Sequence, residues 1–135
     1  MISKTASRAA LVACLFLVAC GAEGPRAKLK HAAFLFNDGL RWGRWGEVMP
    51  RLDPELRGQF SASHSEWGDS VRISDVEMLE IAVDEGLEKA LITVQYTWYR
   101  VDEMEVRTTS TRQHWESRDG EWIVIAEEHL SGTSF

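Results

Sequence analysis

The β-rich half of the sequence decides the fold. From Leu87 to Leu130 it reads LEKALITVQYTWYRVDEMEVRTTSTRQHWESRDGEWIVIAEEHL. β-branched and aromatic residues dominate this stretch, and polar pairs interrupt it at Asp102-Glu103 and Asp119-Gly120. The second pair is typical of a two-residue hairpin turn. Together with the preceding Val71–Val83, which we expect to be broken near Ser74-Asp75, these signals predict an antiparallel meander. Its four strands span 71–83, 87–100, 104–117 and 121–129.

The register of these strands follows from the turns. If both polar pairs are two-residue turns, side-chain alternation divides the sheet into two faces. One face is rich in threonine, although Ile123 and Ile125 also fall on it. A three-residue turn near Asp102, instead of a two-residue turn, would exchange the two faces of one strand. The more apolar face should pack against helices. It carries Ile92, Val94, Tyr96, Trp98, Arg107, Thr109, Thr111, Gln113, Trp115, Trp122, Val124 and Ala126.

The residues before the strands predict helices. Apolar residues recur at helical spacing from Leu29 to Leu40, although Asn37-Asp38-Gly39 within them is a turn signal. Asp53-Pro54-Glu55 is a strong start signal for a later helix, with an N-cap aspartate followed by proline. Helices followed by antiparallel strands predict an α+β fold with the helices packed on one face of the sheet. The three predicted helices span 26–42, 45–52 and 53–67.

The first residues resemble the export signal of a bacterial lipoprotein. Lys4 and Arg8 supply a positive start, an apolar run follows, and Leu17-Val18-Ala19-Cys20 resembles a lipobox. The resemblance implies cleavage before Cys20 and a lipid on Cys20 that anchors the protein to the membrane. An uncleaved membrane anchor and an ordinary secretory signal are the alternatives.

These features divide the chain into three parts. They are a signal peptide over 1–19, a lipidated cysteine with a short tether over 20–26, and a single α+β domain over 27–135. The lipoprotein resemblance implies a location in the bacterial cell envelope. Because Gly21 is not the aspartate that retains lipoproteins at the inner membrane, the resemblance implies the outer membrane, facing the periplasm, in a Gram-negative cell.

Charge and composition disfavour several classes of function. The chain has 15 basic and 21 acidic residues, and two of the basic residues lie in the signal. The part of the chain after the signal therefore has 13 basic and 21 acidic residues and a net charge of −8. That charge disfavours nucleic acid as a partner. His64, His114 and His129 lack metal-ligand spacing, and no glycine-rich phosphate loop is present, so we expect neither a metal nor a cofactor. We expect His64, at the end of the third helix, to occupy a favourable position for a cation or simply to be exposed, and the pair Glu127-Glu128 to be exposed to solvent.

Several motifs together resemble the nuclear transport factor 2-like superfamily, also called cystatin-like or SnoaL-like, and in particular its small bacterial lipoproteins. The resemblance spans about residues 28–130 and implies a curved sheet wrapped around helices, which leaves a conical cavity. Members of the superfamily use this cavity for isomerase, dehydratase or cyclase chemistry or for binding, and often dimerise through the open sheet face. The fold therefore does not fix the function. The motifs are Leu40-Arg41-Trp42-Gly43, Asp53-Pro54-Glu55-Leu56-Arg57 through Phe60, Gln113-His114-Trp115 and Gly120-Glu121-Trp122.

Few residues are candidates for acid–base chemistry. His31 and Asp38 are seven positions apart on the first helix, so they share a face and can form a proton-abstracting pair. The alternative is that Asp38 forms an ordinary surface ion pair with Arg41. Tyr96 is expected to point inward, where it either donates a hydrogen bond to a substrate or is a core aromatic residue.

The aromatic residues favour binding over catalysis. The six tryptophans all follow the signal, and large aromatics dominate ligand pockets as well as cores. Our leading hypothesis is a non-catalytic module that binds a small apolar ligand or an envelope protein. The alternatives are an isomerase- or dehydratase-type enzyme and a structural lipoprotein that forms a homodimer through the threonine-rich face. The candidate ligand-contacting residues are Trp42, Trp45, Tyr96, Trp98, Thr111, Gln113 and Trp115.

Overall fold

A computed structural model describes residues 23–135, so the predicted signal peptide and Cys20 lie outside the described residues. The helical part comprises α1 (Pro25–Arg41), α2 (Trp45–Val48), a 3₁₀ turn (Met49–Arg51) and α3 (Arg57–Ser63). The strands are β1 (Val71–Val83), β2 (Lys89–Arg100), β3 (Val106–Arg118) and β4 (Glu121–Gly132). They form one antiparallel sheet in the order β1-β2-β3-β4, which confirms the α+β fold and the meander. Within 23–135, no helix has the length and apolarity needed to cross a membrane.

Helix α1 lies against the sheet along one apolar stripe. Pro25 occupies its first turn, where a missing N–H removes no helical hydrogen bond. Leu29, Ala33 and Phe36 are fully buried, whereas Phe34 on another face of the helix is 56% exposed. The predicted helical spacing is therefore confirmed, and only one side of α1 is part of the core.

Helix α3 is shorter than predicted. We expected it to begin at Asp53, but it begins at Arg57, because the Asp53 N–H donates to the Val124 carbonyl of β4 at 2.8 Å. The Asp53 carboxylate accepts a hydrogen bond from the Glu55 N–H at 2.8 Å. The carboxylate therefore stabilises a local turn and does not cap the start of a helix. The helix also ends before Trp67, whose backbone forms a bridge with Val71.

The strand register agrees with the prediction, although the strand ends do not. Tyr99 pairs with Val106 and Arg118 pairs with Glu121, as the two turns require. Asp119 and Gly120 have φ angles of 52° and 81°, the left-handed values of a type I′ turn. The loop over 101–105 is longer than the two residues expected, since β3 begins at Val106.

A β-bulge changes the inner face of β4. Trp115 pairs with Val124, but His114 pairs with Ala126, so Ile125 is an extra residue in β4. The prediction that Ala126 lies on the inner face is therefore wrong. Glu127, which we expected to be exposed, lies opposite Gln113 and is directed toward the helices. The predicted irregularity near Ser74 is also a register shift, and it leaves β1 continuous.

The core lies between α1, α3 and the inner face of β2 and β3. Edge contacts join Phe36 to Trp115, with ring centroids 5.5 Å apart, and tilted packing joins Phe36 to Phe60 at 5.8 Å. Arg107 lies at the rim, with its guanidinium 5.4 Å from the centre of the Trp98 ring. Phe36 thus links the sheet to both helices.

We expect Phe36→Ala to lower the free energy of unfolding by about 3–5 kcal/mol, because it leaves a cavity between the Phe60 and Trp115 rings. Phe34→Ala removes the same side chain from an exposed position of the same helix and should change stability by no more than about 0.5 kcal/mol. Urea denaturation of both variants measures the difference. Equal losses would contradict the assignment of the apolar stripe.

Candidate functional site

Three polar side chains meet in the apolar interior, and we call them the polar triad: Asn37, Tyr96 and Gln113. The Tyr96 hydroxyl donates to Asn37 Oδ1 at 2.6 Å, and Gln113 Nε2 donates to the same oxygen at 2.8 Å. Asn37 Nδ2 donates to the Ala33 carbonyl at 2.9 Å and to Gln113 Oε1 at 3.2 Å. Trp115 Nε1 also donates to Gln113 Oε1, at 3.2 Å. The triad satisfies its own hydrogen bonds, as buried polar groups must.

Burial keeps Tyr96 neutral. Removal from water raises the pKa of Tyr96 well above its ordinary value of 10.0, and the nearby Glu127 carboxylate raises it further. The Gln113 amide and the Thr111 hydroxyl act in the opposite direction, with smaller effect. Tyr96 is therefore a phenol that donates to Asn37 and accepts from Gln113, and it cannot serve as a base near neutral pH.

A histidine and a carboxylate form a second buried group, the His–Glu pair of His64 and Glu127. Their Nε2 and Oε1 atoms are 2.9 Å apart, but the approach is too oblique for a hydrogen bond. His64 Nδ1 lies 2.9 Å from the Phe60 carbonyl oxygen, and the imidazole stacks on the Phe60 ring with centroids 3.9 Å apart. The prediction that Glu127 is exposed is wrong, since its side chain is only 12% exposed. His64 is not exposed either, at 2%, although it does lie at the end of α3.

The pair arises from two local features of the chain. His64 follows Phe60 by four residues and so continues the buried stripe of α3 beyond its last residue. Glu127 follows the extra residue Ile125, and the bulge turns its carboxylate inward. The helix position of His64 could have been recognised from the sequence, whereas no sequence signal marks the bulge.

A segment before β1 closes one side of this region. Arg100 and Glu66 form two parallel hydrogen bonds, with N–O distances of 2.9 and 2.7 Å. Hydrogen bonding by Arg100, followed by that of Ser70, lowers the pKa of Glu66 to about 2. The neighbouring Trp67 is buried, and its ring contacts Tyr96 edge-on with centroids 5.0 Å apart. The surface ion pair thereby holds the Trp67 segment against the end of β2.

Several buried polar atoms around Tyr96 lack a hydrogen-bond partner within the described chain. Unpartnered buried atoms are uncommon in native proteins, and each costs about 1–3 kcal/mol. Those that lie in the interior next to the polar triad are Trp67 Nε1, Thr111 Oγ1 and Glu127 Oε2.

The structure brings together five of the seven predicted ligand-contacting residues. Tyr96, Trp98, Thr111, Gln113 and Trp115 are all buried, with exposures of 2% or less. We define the aromatic interior as the packed cluster of rings contributed by α1, α3, the Trp67 segment and the sheet. Its rings are Phe36, Phe60, Trp67, Tyr96, Trp98 and Trp115.

The other two tryptophans lie apart from this cluster. Trp45 is half-buried and reaches the edge of the aromatic interior, 6.5 Å from Phe60 between centroids. Trp42 is 59% exposed, and its indole N–H donates to Asp38 at 3.1 Å. These positions place Trp42 on the outer surface beside α1.

The predicted acid–base pair of α1 is not part of the interior. Asp38 forms an ion pair with Arg44, while Arg41, its expected partner, donates to the Ser74 carbonyl at 2.6 Å. The expected Asp38–Arg41 pair is therefore wrong. His31 is exposed and lines a surface depression with Lys28. In residues 23–135, no group of three or more His, Cys, Asp or Glu side chains is arranged to hold a metal ion.

Comparisons with known proteins establish the fold. No family model matches the chain, and no curated protein matches it. The intermembrane space region of the chloroplast protein ARC6 is 12% identical with a TM-score of 0.55, and the match covers 82% of this chain and 98% of that one. A protein of unknown function with a cystatin-like fold from Nostoc punctiforme is 12% identical with a TM-score of 0.54, covering 77% and 88%.

A SEC-C motif containing protein from Rhodopseudomonas palustris is 15% identical with a TM-score of 0.55, and 79% of each chain is covered. Sequence identities this low report shared architecture only. Together with the helices and the open antiparallel sheet, these similarities show that the chain has an α+β architecture of the cystatin-like type.

We expect the free energy of unfolding to fall as the pH rises above about 10. Unfolded Tyr96 loses its proton near the ordinary value of 10.0, whereas folded Tyr96 keeps it because its pKa is raised. The stability linked to this group is complete below pH 10 and is lost at about 1.4 kcal/mol per pH unit above it. Urea denaturation from pH 8 to pH 11.5 measures the slope.

Tyr96→Phe is the matched variant, because it keeps the ring and removes the titrating hydroxyl. It should lower stability by about 1 kcal/mol at pH 8, for the lost hydrogen bond to Asn37, and should show a shallower alkaline slope than the wild type. Parallel slopes for the two proteins would show that Tyr96 titrates normally.

Proposed function

We propose that this protein is a non-catalytic binding module of the bacterial cell envelope, anchored by a lipid on Cys20. Its aromatic interior would receive the apolar part of a small ligand or of a protein partner. The observation that supports this most directly is the set of unpartnered polar atoms in that interior. These are Trp67 Nε1, Thr111 Oγ1 and Glu127 Oε2.

These atoms match the usual design of a binding pocket. Ligand sites are lined mainly by apolar and aromatic side chains, with a few polar groups that fix the orientation of the ligand. The aromatic rings would supply contact area, and a ligand hydroxyl or amide would provide the well-aligned partner that the Thr111 hydroxyl, beside Tyr96, lacks. The polar triad, which is already satisfied, would keep the neighbouring wall rigid.

Two observations favour binding over proton transfer. Tyr96 is held as a neutral phenol, and its hydroxyl is already engaged by Asn37 and Gln113. Asp38 is engaged by Arg44 and Trp42 on the outer surface. The residues first considered for acid–base chemistry are thus occupied in other interactions.

The second candidate function is an isomerase- or dehydratase-type enzyme, which the His–Glu pair favours. A buried imidazole 2.9 Å from a carboxylate is a suitable acid–base unit if a substrate reaches it. In this case the Phe60 carbonyl would orient the ring through Nδ1, and His64 Nε2 together with the Glu127 carboxylate would transfer the proton. His64→Gln would abolish turnover of such an enzyme, whereas ligand retention by a binding module does not require a titrating group.

Membership of the nuclear transport factor 2-like superfamily is a further part of this proposal. It is supported by the motifs of the sequence and by the cystatin-like architecture. The envelope location is supported by the lipobox resemblance at Leu17-Val18-Ala19-Cys20. Neither part depends on the identity of the ligand.

We expect native mass spectrometry of the full chain, extracted gently from cells in mild detergent, to show an adduct that disappears on denaturation. Thr111→Val keeps the shape of the side chain and removes the unpartnered hydroxyl, so it should weaken retention about tenfold, which corresponds to about 1.4 kcal/mol. Its thermal stability should equal or exceed that of the wild type, because a buried unsatisfied group is lost.

Thr93→Val on the outer face of β2 is the control and should retain the adduct. A bare protein mass in every preparation, or equal retention by both valine variants, would contradict the binding proposal. The same spectra report whether the protein is a monomer or a homodimer.

The denatured mass tests the anchor. We expect it to lack residues 1–19 and to include several acyl chains, because one chain alone anchors a protein only weakly. Cys20→Ser should abolish this modification and release the protein from the membrane fraction. An unmodified mass that starts at Met1, or membrane retention of the serine variant, would favour an uncleaved anchor.

A further inference from the structure

The last four residues, Gly132–Phe135, form a tail that turns back toward the aromatic interior. Gly132 has a φ of 82°, and a Cβ atom added there would lie 2.1 Å from the Thr108 carbonyl oxygen. Real Cβ atoms do not approach an oxygen so closely, so only glycine permits this turn. The direction of the tail is therefore fixed by one residue.

Backbone hydrogen bonds hold the tail along the start of β3. The Thr133 N–H donates to the Thr108 carbonyl at 3.1 Å, and the Thr109 hydroxyl donates to the Thr133 carbonyl. Thr109 Oγ1 also accepts the Trp98 indole N–H at 2.8 Å. The buried Thr109 side chain thus connects the tail to the wall of the aromatic interior.

The Phe135 ring enters the aromatic interior at the end of this segment. Its centroid lies 4.5 Å from that of Trp67 and 5.8 Å from that of Trp98. It also lies 5.6 Å from the His64 ring and 6.0 Å from the Tyr96 ring. The ring remains half-buried, so it occupies the outer part of the interior and covers the His–Glu pair.

We propose that the Phe135 position is a binding subsite for an aromatic side chain carried on an extended peptide of a partner protein. The tail is its built-in occupant, and a partner must displace it. This inference rests on the proposed binding function and names the partner class and its regulation. The tail combines a backbone hydrogen bond to a strand with an aromatic side chain packed among other rings, and added strands of partner peptides are recognised by the same two kinds of contact.

Competition between tail and partner follows from the tether. Gly132 joins the tail to β4, so Phe135 competes as an intramolecular ligand at high effective concentration. A free peptide binds tightly only when the tail is released. The partner peptide must therefore be present at a concentration high enough to displace the tail.

The test uses the full chain in mild detergent and the peptide acetyl-Gly-Thr-Ser-Phe-amide, with acetyl-Gly-Thr-Ser-Ala-amide as the control peptide. Phe135→Ala removes the competing ring. Gly132→Ala keeps every interior side chain and prevents the turn. Calorimetric titration should give at least tenfold tighter binding of the phenylalanine peptide to both variants than to the wild type, with no binding of the control peptide.

Other outcomes overturn the proposal in distinguishable ways. Equal affinity for the wild type and the variants would overturn the role of the tail and leave the binding function standing. Absence of peptide binding to folded variants that still retain the cell-derived adduct would overturn the peptide class alone. Absence of both would overturn the binding function as well. Loss of near-ultraviolet circular dichroism in both variants would show that the tail is an ordinary part of the core.

Discussion

The hydrogen bond from the Tyr96 hydroxyl to Asn37 is the interaction on which the interior depends. It joins the middle of α1 to the middle of β2 over 2.6 Å in a region from which water is excluded. A buried hydroxyl without this partner costs more than the bond itself contributes, so the helix cannot slide along the sheet without penalty. Apolar packing alone tolerates several positions of a helix on a sheet. The polar triad selects one of them.

The bulge at Ile125 has a comparable influence on the chemistry of the interior. Without the extra residue, β4 would continue its alternation and direct Ala126 inward and Glu127 outward. With it, a carboxylate lies beside His64 and raises the pKa of Tyr96. One residue thus decides whether a carboxylate lies in the interior beside the imidazole.

Features that are set by strong local signals could be predicted from the sequence, whereas features that are set by tertiary contacts could not. The turn at Asp119-Gly120 set the register because its φ angles are available to few other residues. The Asn37-Asp38-Gly39 signal was misleading, since Asn37 lies four residues after Ala33 on the buried stripe and bonds its carbonyl. Among site residues, alternation identified Tyr96, Trp98 and Gln113. Glu127 was missed because a bulge breaks the alternation, and Phe135 because the tail lies outside the strands.

The indole N–H of Trp122, at the start of β4, donates to the Pro25 carbonyl at 3.0 Å, which would have a geometric consequence if the protein is anchored as proposed. Pro25 follows Cys20 by five residues, a reach of at most about 18 Å at about 3.5 Å per residue. A lipid on Cys20 would keep this end of β4 near the bilayer. The twelve residues of β4 extend about 40 Å from there to Gly132, at about 3.3 Å each. The Gly132 end of β4, and with it Phe135, would then lie up to about 40 Å from the anchored end of the domain.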